Sequence, residues 1–270
     1  MELFTLKLIT RSWWRNKIFF FISLLSLSIG LACTNLLLTF FIYEYNIESN
    51  LPDKEQIVCL QQDAPMQEGA KVSYAVGTIP ALLKDKFAEI EEYVRINTMS
   101  AQYCKYNTEV FHDVTFICAD ASLLCFFDYQ TRTGNLKEVL IHPDQVAVSE
   151  EFAQKMFGDT DPIDKHIDVS MSDNGNKTYV VKAVIKARPQ SLLRFDLITG
   201  TESTFWGGFT LLKLTEGSSP QSLADKINNE SIPTLLPGEG RYYLKPFSEI
   251  YFSTSGKTSQ ESLSYIRQSN

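Results

Sequence analysis

Histidine is scarce in this 270-residue chain: His112, His142 and His166 are all it has. They are not at ligand spacing and no H-E-x-x-H occurs, whereas a metal centre needs three or four converging ligands. Cysteine numbers five, and no C-x-x-C is present to suggest a zinc or redox site. No G-x-S-x-G marks a nucleophile elbow. Adjacent acids such as Glu91-Glu92 and Glu150-Glu151 point apart in a strand or serve a helix dipole, so neither is a general acid–base pair. The stretch "SGKTS", Ser255–Ser259, has the end of a phosphate-binding loop, but Tyr251 stands where its first Gly is required. It reads as a surface linker. No internal repeat and no low-complexity tract appears. These absences lead to the expectation of a protein that is not an enzyme and carries no cofactor or metal.

Positive charge is thin as well. The formal net charge is −7, and from Glu44 to Asn270 there are 21 basic and 31 acidic residues. That balance disfavours a nucleic-acid partner. Charge of either sign vanishes from Ile18 to Tyr43, "IFFFISLLSLSIGLACTNLLLTFFIY", a run of 26 residues. As a helix it is roughly 39 Å long at ~1.5 Å per residue, enough to cross a bilayer core with some tilt. A cleaved signal peptide has a shorter apolar region and a small-residue cleavage site, which this run lacks. "GLAC" ends in a lipoprotein-like Ala32-Cys33, but Gly30 replaces the usual Leu and the apolar run continues past it. An uncleaved span is expected.

The flanks orient it. Lys7, Arg11, Arg15 and Lys17 precede the span; Glu44, Glu48, Asp53 and Glu55 follow it, with only Lys54 opposing them. Basic residues stay in the cytoplasm, so the N-terminus is expected inside and the body outside. Residues 1–17 read as a cytoplasmic amphipathic segment, with Trp13 and Trp14 at the interface. Within the span, Ser23, Ser26, Gly30 and Thr34 make one small stripe. It could pack a partner helix, or the span could be a lone anchor with incidental serines. Outside, Cys59, Cys104, Cys118 and Cys125 allow three disulfide pairings, or are small buried residues in strands.

Alternation and punctuation give the body its elements. Strands are expected at Glu55–Gln62 and Glu91–Met99, with a helix at Thr78–Ile90 presenting Leu82, Leu83, Phe87 and Ile90. Cys104–Asp120 reads as two strands about an Asn-Thr turn, and Ala121–Tyr129 as a short helix. "VAVSEEFAQKMFGDTDPIDKHIDV", Val146–Val169, is closely punctuated: a strand, Ser149 as cap, Glu150 and Glu151 at the positive helix end, Gly158 as stop, then a turn and a strand. Lys165–Met171 and Lys177–Ala187 form a hairpin around "SDNGN". Strands follow at Arg194–Gly200 and Gly207–Gly217, then a helix at Ser218–Ser231 and a strand at Arg241–Phe252.

That punctuated segment resembles one typical of the MacB/FtsX-like permease family of ABC transporters. Ser149, Glu150, Ala153, Phe157, Gly158, Asp161, Pro162, Ile163 and Lys165 match its pattern; Asp164 stands where the family usually has Gly. "RSWWRNKIFFFISLLSLSIGLA", "DKEQIVCL", "IPALLKDKFAEIEEYVRI" and "YVVKAVIKARPQSLLRFDLI" resemble further blocks of the family, in order.

The resemblance implies an α+β fold: a transmembrane helix at 18–43, then a periplasmic core domain at 44–254. In that domain a porter lobe of βαβ units (55–99 and 194–252) is interrupted by a β-rich sabre lobe (100–187). Residues 255–270 become a linker toward a second membrane helix. It implies the N-terminal portion of an inner-membrane permease subunit that couples ATP hydrolysis by a separate cytoplasmic ABC ATPase to movement for export, lipoprotein extraction or signalling. A homo- or heterodimer of permeases and a periplasmic adaptor or substrate protein are the implied partners. The motif residues Ser149, Glu150, Phe157, Gly158, Asp161 and Pro162 would be scaffold, and none is expected to be catalytic. A different class stays open: a single-span sensor or scaffold whose outer domain binds a ligand or protein.

Overall fold

The computed structural model describes residues 17–45, 51, 53–64, 71–73, 75–171, 175–186, 191, 193–201, 207–234 and 240–250. The amphipathic segment before residue 17, Trp13 and Trp14, residues 172–174 of the "SDNGN" turn, and the 255–270 linker with Ser255–Ser259 lie outside the described residues. The chain divides into two units, the second beginning at Asn50. Among the described residues the first contains one helix, α1, Lys17–Tyr45. Leu, Ile and Phe dominate it, and it contains no proline. From Lys17 to Ile42 it is long and apolar enough to cross a membrane. Its large side chains are exposed all round, the state of a helix whose solvent is lipid.

The second unit contains β1 (Ile57–Asp63), β2 (Lys71–Val72), β3 (Ala75–Val76), β4 (Ile90–Tyr106), β5 (Glu109–Ala119), β6 (Thr131–Gly134), β7 (Gln145–Ser149), β8 (His166–Met171), β9 (Gly175–Ile185), β10 (Leu197–Gly200), β11 (Gly207–Leu214) and β12 (Tyr242–Pro246). Its helices are α2 (Ile79–Lys86), α3 (Leu123–Phe126), α4 (Leu136–Val139), α5 (Glu150–Phe157), α6 (Pro220–Asn228) and α7 (Phe247–Ile250). The strands form one mixed sheet in the order β12-β1-β11-β4-β5-β10-β7-β9-β6. β2 and β3 pair with β1 and β11, and β8 pairs with β4 and β9.

The first four strands of that order make a unit of their own. In β12, β1, β11 and β4 each strand is antiparallel to its neighbour, and in chain order they read β1-α2-β4, then β11-α6-β12. This is the split βαβ arrangement, in which two helices cover one face of four strands. Neither chain segment could build it alone: Ile57 faces Lys213 and Cys59 faces Lys245. Between β4 and β11 the chain departs to build the remaining strands, so a β-rich portion is inserted into the unit.

β4 joins the two parts. The sequence reading breaks it after Met99; the structure continues it for 17 residues, because its first half is paired by β11 and its second by β5. Ile96 faces Phe209 on one side and Ala119 on the other. A second correction concerns β10. Read from sequence as the first porter strand, it pairs instead with β5 and β7, where Leu197 is buried in the core under α5 and Ile198 in the core of the opposite face. A third concerns the helix expected at Thr78–Ile90, which stops at Lys86. Phe87 is extended while its N–H still bonds Leu83 O, and the Thr78 side chain makes no cap. Phe87 and Ile90 reach the same core as Leu83, but from a turn and a strand. β6 and α4 have no counterpart in the sequence reading.

Three apolar cores result. One runs along a single face, from Ile57, Val94 and Leu211 to Ile117, Ala147 and Ile185. The opposite face carries two: Val58, Leu83, Ile90, Leu212 and Ile227 under α2 and α6, and Ala101, Phe116, Val146, Phe152 and Val181 under α5. All five cysteines are free thiols. Cys59 and Cys104 are buried in strands, and burial pushes each thiol up to about 12, which makes them inert apolar fillers.

Asp196 enters β10 between β5 and β7. Its Oδ2 accepts from Thr115 N at 2.8 Å, its own N–H donates to Thr115 O, and its carbonyl accepts from Ser149 N. Burial raises its carboxyl above the ordinary 3.8, against the Thr115 hydrogen bond and nearby Lys155. A carboxyl raised in the folded state stabilises least when both states are ionised, so wild-type stability falls as pH rises from about 3.8 through the folded value. Asp196→Asn keeps the acceptor for Thr115 without the charge. Urea unfolding of the full chain in detergent should find this variant the more stable at pH 7, with the difference closing toward pH 4.

Candidate functional site

The family-like segment is where sequence is most densely translated into geometry. Ser149 closes β7 in extended conformation, and its Oγ accepts from Phe152 N at 3.2 Å. This satisfies one of the donors a helix start leaves open. Glu150 and Glu151 occupy the first turn of α5, the end where negative charge is favoured. Glu150 also reaches Arg132 at 2.6 Å, a pair exposed enough to contribute little. Phe152, Ala153, Met156 and Phe157 are buried. The Phe157 ring meets Tyr106 at 4.6 Å and Phe152 meets Phe111 at 5.7 Å, both edge-on, so α5 clamps the β4–β5 hairpin.

Gly158 ends the helix at φ +59, in the left-handed region where a Cβ is disfavoured. Asp161 Oδ1 then accepts from Ile163 N at 3.0 Å, an Asx turn beside Pro162. Asp164 adopts φ +63. Its N–H donates to Val181 O, and Val181 N–H donates to Lys165 O, so the turn is docked on β9. The family preference for Gly here follows from that backbone. Aspartate is among the residues that tolerate it, and Asp164 adds a 2.6 Å contact to Lys182 that draws that lysine's pKa upward through its hydrogen bond. Ser149, Phe157 and Asp161 thus make contacts within their own cap, hairpin and turn.

The membrane-helix stripe is a different case. Ser26 Oγ donates to Ile22 O and Thr34 Oγ1 to Gly30 O, at 2.9 and 2.8 Å. Ser28, off the stripe, does the same to Leu24 O. These hydroxyls are satisfied by their own helix, and a Cβ at Gly30 would meet nothing within 4 Å. Among the described residues no three His, Cys, Asp or Glu side chains group as metal ligands. His112, His142 and His166 are all exposed.

The sequence reading missed a cluster at the β4 crossing. Arg95 donates to Asp120 from its backbone N, from Nε and from Nη2, at 2.8–2.9 Å. Its Nη1 donates to Gly77 O at 2.7 Å. Thr201 Oγ1 donates to Asp120 Oδ1 at 2.7 Å, Asp120 N–H returns to Arg95 O, and Ser122 Oγ reaches Tyr93 O. The signal was a charge inside "YVRIN": an arginine flanked by buried Val94 and Ile96 needs a partner.

A membrane-spanning-length helix ahead of a split βαβ sheet, itself interrupted by a β-rich insertion, defines a class of membrane-attached α/β domain. The model of the MacB-like periplasmic core domain matches residues 20–230, and the chain belongs to that family. Similar solved structures agree in fold. A domain described as part of a permease protein from Porphyromonas gingivalis superposes with TM-score 0.60 at 18% identity, covering 73% of this chain and 93% of that one. The periplasmic region of MacB from Actinobacillus actinomycetemcomitans gives 0.51 at 10%, covering 72% and 89%. The extracellular domain of the noncanonic ABC-type transporter YknZ from Gram-positive bacteria gives 0.50 at 14%, covering 70% and 98%. No curated protein matches significantly in sequence.

Two substitutions separate cap from turn. Ser149→Ala should lower stability by about 1 kcal/mol through the lost cap. Asp164→Val should cost about 1–2 kcal/mol, because a branched Cβ is forced into the left-handed region. Asp164→Gly, which relieves the backbone and loses only an exposed pair, should change stability little. Thermal unfolding of the three variants gives the comparison.

Proposed function

We propose that the chain is the membrane-anchored portion of a permease subunit of an ABC transporter. It lies in the inner membrane, with its N-terminus in the cytoplasm and its core domain on the far side. The observation that carries this reading is that the family match runs from residue 20 to 230, through most of α1 and on into the body. The basic flank before α1 and the acidic flank after it support the orientation. In this reading the ATP chemistry belongs to a separate cytoplasmic ATPase and this subunit carries its movement outward. The porter and sabre portions meet where β4 exchanges β11 for β5, near Ile96, and again at Thr201 on the return. Ser23, Ser26, Gly30 and Thr34 pack α1 against a neighbouring helix of the same or a partner permease. Because Ser26 and Thr34 already bond their own backbone, they contribute small size to that contact rather than hydrogen bonds.

Exposed Cys125 is a native probe of orientation. In cells with the outer face of the inner membrane accessible, an impermeant maleimide should label the chain, and Cys125→Ser should abolish the labelling. Asn16→Cys in that background should react only after permeabilisation; the opposite pattern reverses the topology. For the functional reading, mild cross-linking at native expression should co-isolate a cytoplasmic ABC ATPase. Isolation only with soluble extracytoplasmic proteins would favour an anchored sensor or scaffold. Gly30→Leu should reduce helix–helix cross-linking while the body's thermal unfolding stays unchanged.

A further inference from the structure

The two faces of the sheet are not built alike. On one, Val94, Ile96, Phe209 and Leu211 continue without a break into Ile117 and Ile198. On the other, the core beneath α2 and α6 and the core beneath α5 are separate. Side chains alternate along a strand, so Arg95 and its register partner Thr210 lie on that second face, between the cores. Asp120 and Thr201 complete the polar seam. The seam also contains both connections between the inserted part and the rest, the outgoing strand at Arg95 and the return at Thr201, and one carboxylate holds both.

We propose that this seam is a latch. The part carrying α2 and α6 can tilt from the part carrying α5, pivoting on the continuous core, and the Arg95–Asp120 clasp holds the two shut. The asymmetry sets the direction. Parting an interdigitated apolar core exposes its area to water at ~25 cal/mol per Å². Parting a polar seam exchanges protein hydrogen bonds for water ones at a small net cost. The side that opens is therefore the seam, and the contacts that resist opening include those between Arg95 and Asp120 and the one from Thr201. The inference concerns the body alone and stands whether or not the transport reading holds.

The test places spin labels on the two sides, at Asp85→Cys in α2 and Gln154→Cys in α5, in the full chain with Cys33 and Cys125 changed to Ser and Cys118 to Ala. Double electron–electron resonance should give a single narrow distance. Arg95→Lys, which loses the fork and the reach to Gly77, should add a longer-distance population. Arg95→Met with Asp120→Leu fills the seam with apolar groups and fuses the two cores, so it should return the single narrow distance. If Arg95→Lys fails to fold, Thr201→Val removes one strand of the clasp and should show the longer population instead. A distribution unchanged in the loosened variant, or the same long population in the apolar pair, overturns the latch.

Discussion

A guanidinium on β4 and a carboxylate just past the end of β5 decide how the body can be arranged. Arg95 and Asp120 side chains are only 19% and 12% exposed, so neither charge is well solvated and each needs the other. Their geometry is bidentate, the form in which such a pair is both strong and directional. Hydrogen bonding to Asp120 holds the Arg95 guanidinium more firmly protonated than usual, with burial opposing. Nη1 donates to Gly77 O in the approach to α2, and Thr201 adds the return connection. A departure of even one residue in the register of β4 would turn Arg95 into the apolar core that Val94 and Ile96 occupy. The pair therefore fixes the phase of the strand that both parts of the sheet share.

Around it, surface charges act on a weaker scale. Lys84 with Glu92, Lys86 with Glu230, and Lys226 with Glu89 tie α2 and α6 to neighbouring strands and loops. Lys213 lies between Asp53 and Glu91, and hydrogen bonding to Asp53 raises its pKa. Such pairs at the surface contribute tenths of a kcal/mol, up to about 1. The apolar cores hold the layers together, and the ion pairs only register the helices upon them.

Local signals were legible in the sequence where one residue type has one mechanical use. Ser149 as cap, Gly158 as stop, and the hairpin turn where Asn107 takes φ +53 all follow from short-range chemistry. The apolar span was legible from length alone. What failed was long-range. β10 has the composition of any buried strand, and nothing in Leu197–Gly200 states that its neighbours are β5 and β7. β4 was cut in two because Met99, Ser100 and Ala101 have no strong strand preference; pairing on both sides overrode propensity. β6, "TRTG", is too short and polar to announce itself. Arg95 carries no signature of a reactive group, because its partner Asp120 lies on another strand end and its role is to be neutralised there.

The pairing of β1 has a consequence for how the chain acquires its structure. Ile57 and Cys59 find their neighbours at Lys213, Leu211 and Lys245, so the first strand made is among the last to be satisfied. Closing so long a loop is entropically slow, and high contact order of this kind delays folding. During synthesis most of both edges of β1 stays open while more than half the chain is still to come, only its last residues finding β2 nearby. An open apolar edge is an invitation to mispairing. The inserted strands β5 to β10 find most of their partners closer in sequence, so they can close first and carry β4 with them. β4 then offers the β11 segment a preformed edge, and β1 is recruited last, into a slot already bounded on one side.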